Sequence, residues 1–192
     1  MIRAAALLLF VVLAAAPLTA NLTISAEFRD VVRDATLIVR GRITDVRAIA
    51  VPDLGVETVG TIAVDAVLKG GTADFVSLRV PGGRIGRYRY VMTGAPTIAA
   101  GQQALFFLKQ GSDGAWRPVG LTQGIYRVQA EPETGRPVVR PPLVAGQTMP
   151  AAGRIVRGDV RRRFMPVPEF ESLVRLVMAS PPARAVPRGG GR

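Results

Sequence analysis

The residues best suited to chemistry stand between Gly83 and Pro96, where Arg84, Arg87, Tyr88, Arg89 and Tyr90 interleave guanidinium groups with phenol rings. Cations alternating with aromatic faces hold anions and flat ligands by charge and stacking, so these five residues form the candidate binding site. The same pattern suits a twisted edge hairpin whose arginines keep it soluble and whose tyrosines pack across the strand pair. Gly83-Arg84-Ile85-Gly86 spells G-x-x-G, but the nucleic-acid modules that use it set it between helices. Here it follows a strand and Pro81.

Catalytic chemistry is poorly provided for. With no His and no Cys, the chain cannot build a histidine or thiolate zinc site, a thiol nucleophile or a Ser-His-Asp triad. Neither Lys69 nor Lys109 lies in an S-x-x-K motif. Carboxylates remain: Asp45, Asp53, Glu57 and Asp65 lie on or near one predicted hairpin, and a pair of them would support acid–base hydrolysis. Asp53 equally suits a turn, and Asp45 and Asp65 suit the solvent side of half-buried strands. No catalytic residue, metal ligand or cofactor is assigned, and a small hydrolase using Asp45 or Asp65 stays as an alternative.

Two long runs must position these groups. Leu37 to Ile49 and Thr58 to Leu68 alternate apolar and polar residues around a turn containing Pro52, Asp53 and Gly55, which predicts a β-hairpin. In the second run Ile62, Val64, Ala66 and Leu68 share one face at the two-residue period. In the first, apolar parity changes from Leu37, Val39 and Ile43 to Val46, Ala48 and Ala50, which predicts a bulge or bend, and Gly41 permits a close backbone approach.

A short helix is expected over Ser25 to Asp34, with Phe28, Val31 and Val32 on one stripe. Further strands are expected at Phe75 to Val80, Trp116 to Val119, Gly124 to Gln129 and Pro137 to Arg140. Ala104-Leu105-Phe106-Phe107-Leu108 reads as a strand buried on both faces. Pro141 to Arg163 reads as loop with a short strand at Arg154 to Val156. Pro168 to Met178 is helical, its stripe formed by Phe170, Leu173, Val174 and Val177.

At the N-terminus, Arg3 followed by the apolar run Ala4 to Ala16 predicts a secretory signal peptide, residues 1–20, cleaved near Ala20; retention as an anchor is the alternative. The mature chain is then one domain over residues 21–178 with a disordered tail, 179–192, secreted or periplasmic and stable without disulfides. A net charge of +11, almost all from arginine, fits an anionic partner: an acidic glycan, lipid or protein. The export signal argues against nucleic acid. Arg161-Arg162-Arg163 before Phe164 and Met165 fits either an anionic membrane or a solvated loop.

The hairpin, Val67-Leu68-Lys69-Gly70, the run Gly101 to Leu108 and Gly120-Leu121-Thr122-Gln123-Gly124 together resemble exported bacterial proteins with a netrin-like, or tissue-inhibitor-of-metalloproteinases-like, OB-fold. The resemblance covers roughly Phe28 to Val128. It implies a mostly β fold, a five-stranded OB-like Greek-key barrel with a short N-terminal helix and a C-terminal helix, which agrees with the strand count and the bent first strand. It also implies inhibition of a metalloprotease through the mature N-terminus, here Asn21, although no cysteine is present to clamp it. The favoured reading is an exported, non-enzymatic binding module.

Overall fold

The computed structural model describes residues 28–52, 55–142 and 164–180. The signal segment, Asn21, Asp53, the strand expected at 154–156, Arg161 to Arg163 and the tail from residue 181 lie outside the described residues. Helix α1 (Phe28–Asp34) precedes strands β1 (Leu37–Val51), β2 (Gly55–Lys69), β3 (Phe75–Pro81), β4 (Gly83–Ile85) and β5 (Tyr88–Tyr90). Then come β6 (Gln103–Gln110), β7 (Trp116–Pro118), a 3-10 turn (Leu121–Gly124), β8 (Ile125–Ala130), β9 (Pro137–Arg140), β10 (Met165–Pro166) and helix α2 (Val167–Ala179).

The fold is mostly β with one short helix at each end, as the alternation predicts. The main sheet holds eight strands, in the order β1-β2-β3-β7-β6-β8-β9-β10, and β6 pairs again with β1. Five strands therefore pair in a cycle, while β8, β9 and β10 continue as a sheet from the same edge of β6 that meets β7. All pairings are antiparallel except β3 with β7, which meet at a single bridge, Leu78 to Trp116.

Two cores result from the alternation on β6. Ala104, Phe106 and Leu108 join Val39, Ile43, Ile62, Leu78 and Ile125 on one side. Leu105 and Phe107 face the other way, against Phe28, Val32, Tyr126, Phe170 and Val174. Both helices lie on this second side, and the rings of Phe28, Phe107, Tyr126 and Phe170 stand 5.0–6.4 Å apart in every pairing. An ion pair from Arg40 Nε to Glu171 Oε1, 3.0 Å, ties α2 to β1.

The parity change in β1 corresponds to a bulge at Thr44, between the pairs Ile43–Ile62 and Asp45–Thr61. Gly41 has no room for a Cβ, which would meet the Ala63 carbonyl oxygen. The expectation for β2 needs correction. Its register skips Asp65 and Leu68, so Val67 packs with the first core and Leu68 with the second. Apolar residues at both parities let the strand switch faces without leaving a polar residue inside.

Lys-Gly at the end of β2 also has a physical reason. Lys69 Nζ donates to the Val32 and Arg33 carbonyls at 2.9 and 3.0 Å, satisfying acceptors at the end of α1. Gly70, at φ 94, passes close to the Thr36 carbonyl, 2.8 Å from where a Cβ would lie. Gly101-Gln102 serves the β1 bulge: Ile43 donates to the Gln102 carbonyl, 2.9 Å, and accepts from Gly101, 2.7 Å.

Candidate functional site

Strands β4 and β5 form a separate two-stranded ribbon set over the far end of β1 and β2. It sits close because Gly82 and Gly83, both at positive φ, bring backbone against the sheet. Gly82 donates to the Val56 carbonyl, 2.8 Å, and Thr58 Oγ1 donates to the Gly82 carbonyl, 2.6 Å. A Cβ on Gly83 would stand 2.8 Å from that same hydroxyl. The Tyr90 ring covers Gly55, 3.4 Å from where its Cβ would be.

Within the ribbon Arg84 lies directly opposite Arg89, Ile85 opposite Tyr88, and Gly83 opposite Tyr90. Successive cross-strand pairs face opposite sides. The interleaved sequence therefore sorts into an arginine face and an aromatic face, where the sequence alone implies one mixed surface. Arg87, at the tip, donates through Nη2 to the Tyr88 hydroxyl, 3.0 Å, and its guanidinium stands 5.1 Å from the Tyr88 ring centre. Tyr88 and Val91 remain 66% and 68% exposed.

Of the five predicted residues, Arg84, Arg89 and Tyr90 line a cleft of about 310 Å3, closed by Thr58, Val80, Met92 and Ile98; Arg87 and Tyr88 do not. Its outer wall, residues 91–98, is held from behind. Thr122 Oγ1 donates to the Gly94 carbonyl, 2.7 Å, and Arg127 Nη2 to the Thr97 carbonyl, 2.8 Å. The 3-10 turn carrying Thr122 places Leu121 at φ 57, a left-handed conformation uncommon outside glycine. The phrase Gly120 to Gly124 thus supports the cleft wall, a role that strand periodicity does not signal.

Among the described residues, no carboxylate lies within ion-pair distance of Arg84 or Arg89. Like charges directly opposed on a ribbon destabilise it. The carboxylates are occupied elsewhere or apart. Asp45 pairs with Thr61, while Asp65 is four residues further along β2, roughly 13 Å at strand rise, wider than a glycosidase pair. Among the described residues no group of three acids could hold a metal ion.

Glu57 is buried against Arg117, whose Nη2 stands 2.8 Å from Oε1, with Arg79 Nη1 3.9 Å from Oε2. Arg117 and Arg79 also reach Asp113, at 2.6 and 3.6 Å. This network braces β2, β3 and β7 where the sheet has only one bridge. Replacing Glu57 with Ala is expected to cost about 1–3 kcal/mol, less than a fully buried pair because both arginines keep solvent contact, read as a lower urea midpoint.

Its pH dependence has a definite sign. The Arg117 hydrogen bond, with help from the Ala115 amide, holds the Asp113 carboxyl below the usual carboxylate range. A depressed folded-state value gives stability that is complete above the unfolded-state range and fades as pH falls through the folded one. Acidification should therefore lower the urea midpoint of the native protein more than that of Asp113→Asn.

No family model matches this chain, and no curated protein matches it.

Proposed function

We propose that the chain is an exported, non-enzymatic binding module whose cleft takes an acidic group of its partner between Arg84 and Arg89. The single observation that carries this reading is the directly opposed arginine pair on a cleft, with no carboxylate partner among the described residues. The pair repels itself, and an anion between the two guanidiniums would relieve it while accepting charge-assisted hydrogen bonds. Tyr90 holds the ribbon on the sheet, and Arg87 with Tyr88 stiffens its tip.

The scaffold in this proposal is an OB-like barrel. The cycle β1-β2-β3-β7-β6 with its β6–β1 pairing supports that reading, as do the parallel β3–β7 bridge and the bent first strand. Export rests on the leader pattern of Arg3 and Ala4 to Ala16. Passage over immobilised polyglutamate at graded salt tests the binding reading. The native protein should elute at higher salt than Arg84→Ala/Arg87→Ala/Arg89→Ala, because more salt is needed to screen the contacts that the variant lacks. Elution of both at the same salt would remove the ribbon from the site.

A further inference from the structure

We propose that this cleft is one half of a two-part groove for an extended acidic peptide, with a second acidic cluster received by Arg127 and Arg140. The inference rests on the anionic reading of the first cleft. Arg127 on β8 lies directly opposite Arg140 on β9, a second like-charge pair in register, and again no described carboxylate stands within ion-pair distance. Both arginines line a smaller cleft of about 100 Å3 with Thr122 and Pro96. Pro96 also lines the first cleft, and Arg127 donates to the carbonyl of Thr97, another residue of that cleft. Two arginine pairs without a carboxylate partner among the described residues therefore flank one ridge.

The surroundings select the occupant. A single-stranded nucleic acid stacks its bases on free rings beside its phosphate contacts, whereas Tyr90, the aromatic residue lining the first cleft, lays its ring over Gly55, and among the described residues no aromatic side chain lines the second. An acidic polysaccharide presents hydroxyls at every ring, whereas Val80, Met92, Pro96 and Ile98 make much of the lining apolar, the Thr58 and Thr122 protons already go to Gly82 and Gly94, and Thr97 and Tyr90 supply the remaining hydroxyls. A flat bilayer meets only the rims of two concave clefts. An extended peptide places acids at two points and apolar side chains between them, matching charge, ridge and charge.

Fluorescence anisotropy with labelled peptides tests this, one carrying a single Glu-Glu pair and others carrying two pairs joined by Pro-, Leu- and Ala-containing spacers of graded length. Linking two contacts raises affinity when the spacer spans both sites. For the native protein the best two-pair peptide should bind at least about tenfold more tightly than the one-pair peptide. Arg140→Glu should erase that advantage while changing one-pair binding by no more than about twofold, the statistical effect of one site in two; it leaves the Arg127 bond to Thr97 in place. Equal affinity for one-pair and two-pair peptides, or an advantage that survives Arg140→Glu, would overturn the second subsite, and if Arg84→Gln/Arg89→Gln still weakens both peptides the first cleft stands. No response of either peptide to Arg84→Gln/Arg89→Gln would overturn both readings. Tighter binding of heparin or a single-stranded oligonucleotide than of every peptide would overturn the peptide as occupant.

Discussion

Truncating Phe107 to Ala should cost about 3–5 kcal/mol, a large share of the roughly 5–15 kcal/mol that a domain has. Phe107 is fully buried on β6, and its ring is 6.1 Å from Phe28, 5.2 Å from Tyr126 and 6.4 Å from Phe170. Removing it leaves a cavity bounded by both helices and β8, and the three ring neighbours belong to three different elements, so none can close the gap alone. Leu176→Ala on α2 is the control, because Leu176 is 64% exposed and its truncation should stay within about 0.5 kcal/mol. Urea unfolding with an unchanged slope reads both. Equal effects would mean that the helices do not pack on β6.

The second large effect is on binding. Arg84→Ala/Arg89→Ala should weaken capture of an acidic peptide that spans both arginine pairs about tenfold to a hundredfold. Each guanidinium offers charge-assisted hydrogen bonds worth roughly 1.5–3 kcal/mol in a shielded site, and an open cleft retains only part of that. The ribbon itself should survive. Its attachment runs through Gly82, Gly83, Thr58 and Tyr90, and truncating an opposed pair of cations removes repulsion.

Much of the scaffold is legible in the sequence for reasons these residues make plain. Ala104 to Leu108 is apolar at every position, which only a strand covered on both faces can satisfy, and the parity slip between Ile43 and Val46 announces the Thr44 bulge. The bulges at Asp65 and Leu68 are silent, because Val67 and Leu68 are both apolar and either face accepts either residue. The meeting of Phe28 with Phe170 joins the two ends of the chain and leaves no local trace.

The candidate site is half legible in the same way. Arg84 and Arg89 stand out by composition, but their separation from the tyrosines depends on the register of a three-residue ribbon, which alternation alone does not fix. Thr58, Met92 and Ile98 enter the cleft through that ribbon's placement over β2, and nothing in their own neighbourhood marks them. Arg127 and Arg140 read as ordinary solvent-side residues until β8 and β9 are paired.

Thermal unfolding of the native protein and of Arg84→Ala/Arg89→Ala, each with and without polyglutamate, shows whether the opposed arginines receive an anion or only hold the ribbon. A ligand that binds only the folded state raises the melting temperature. The variant alone should melt no lower than the native protein, and polyglutamate should raise the native value by several degrees more than the variant's, in which the Arg127 and Arg140 pair alone remains. A variant that melts several degrees lower, with polyglutamate raising both proteins equally, would show that the arginines hold the ribbon in place and that the cleft is not where the anion binds.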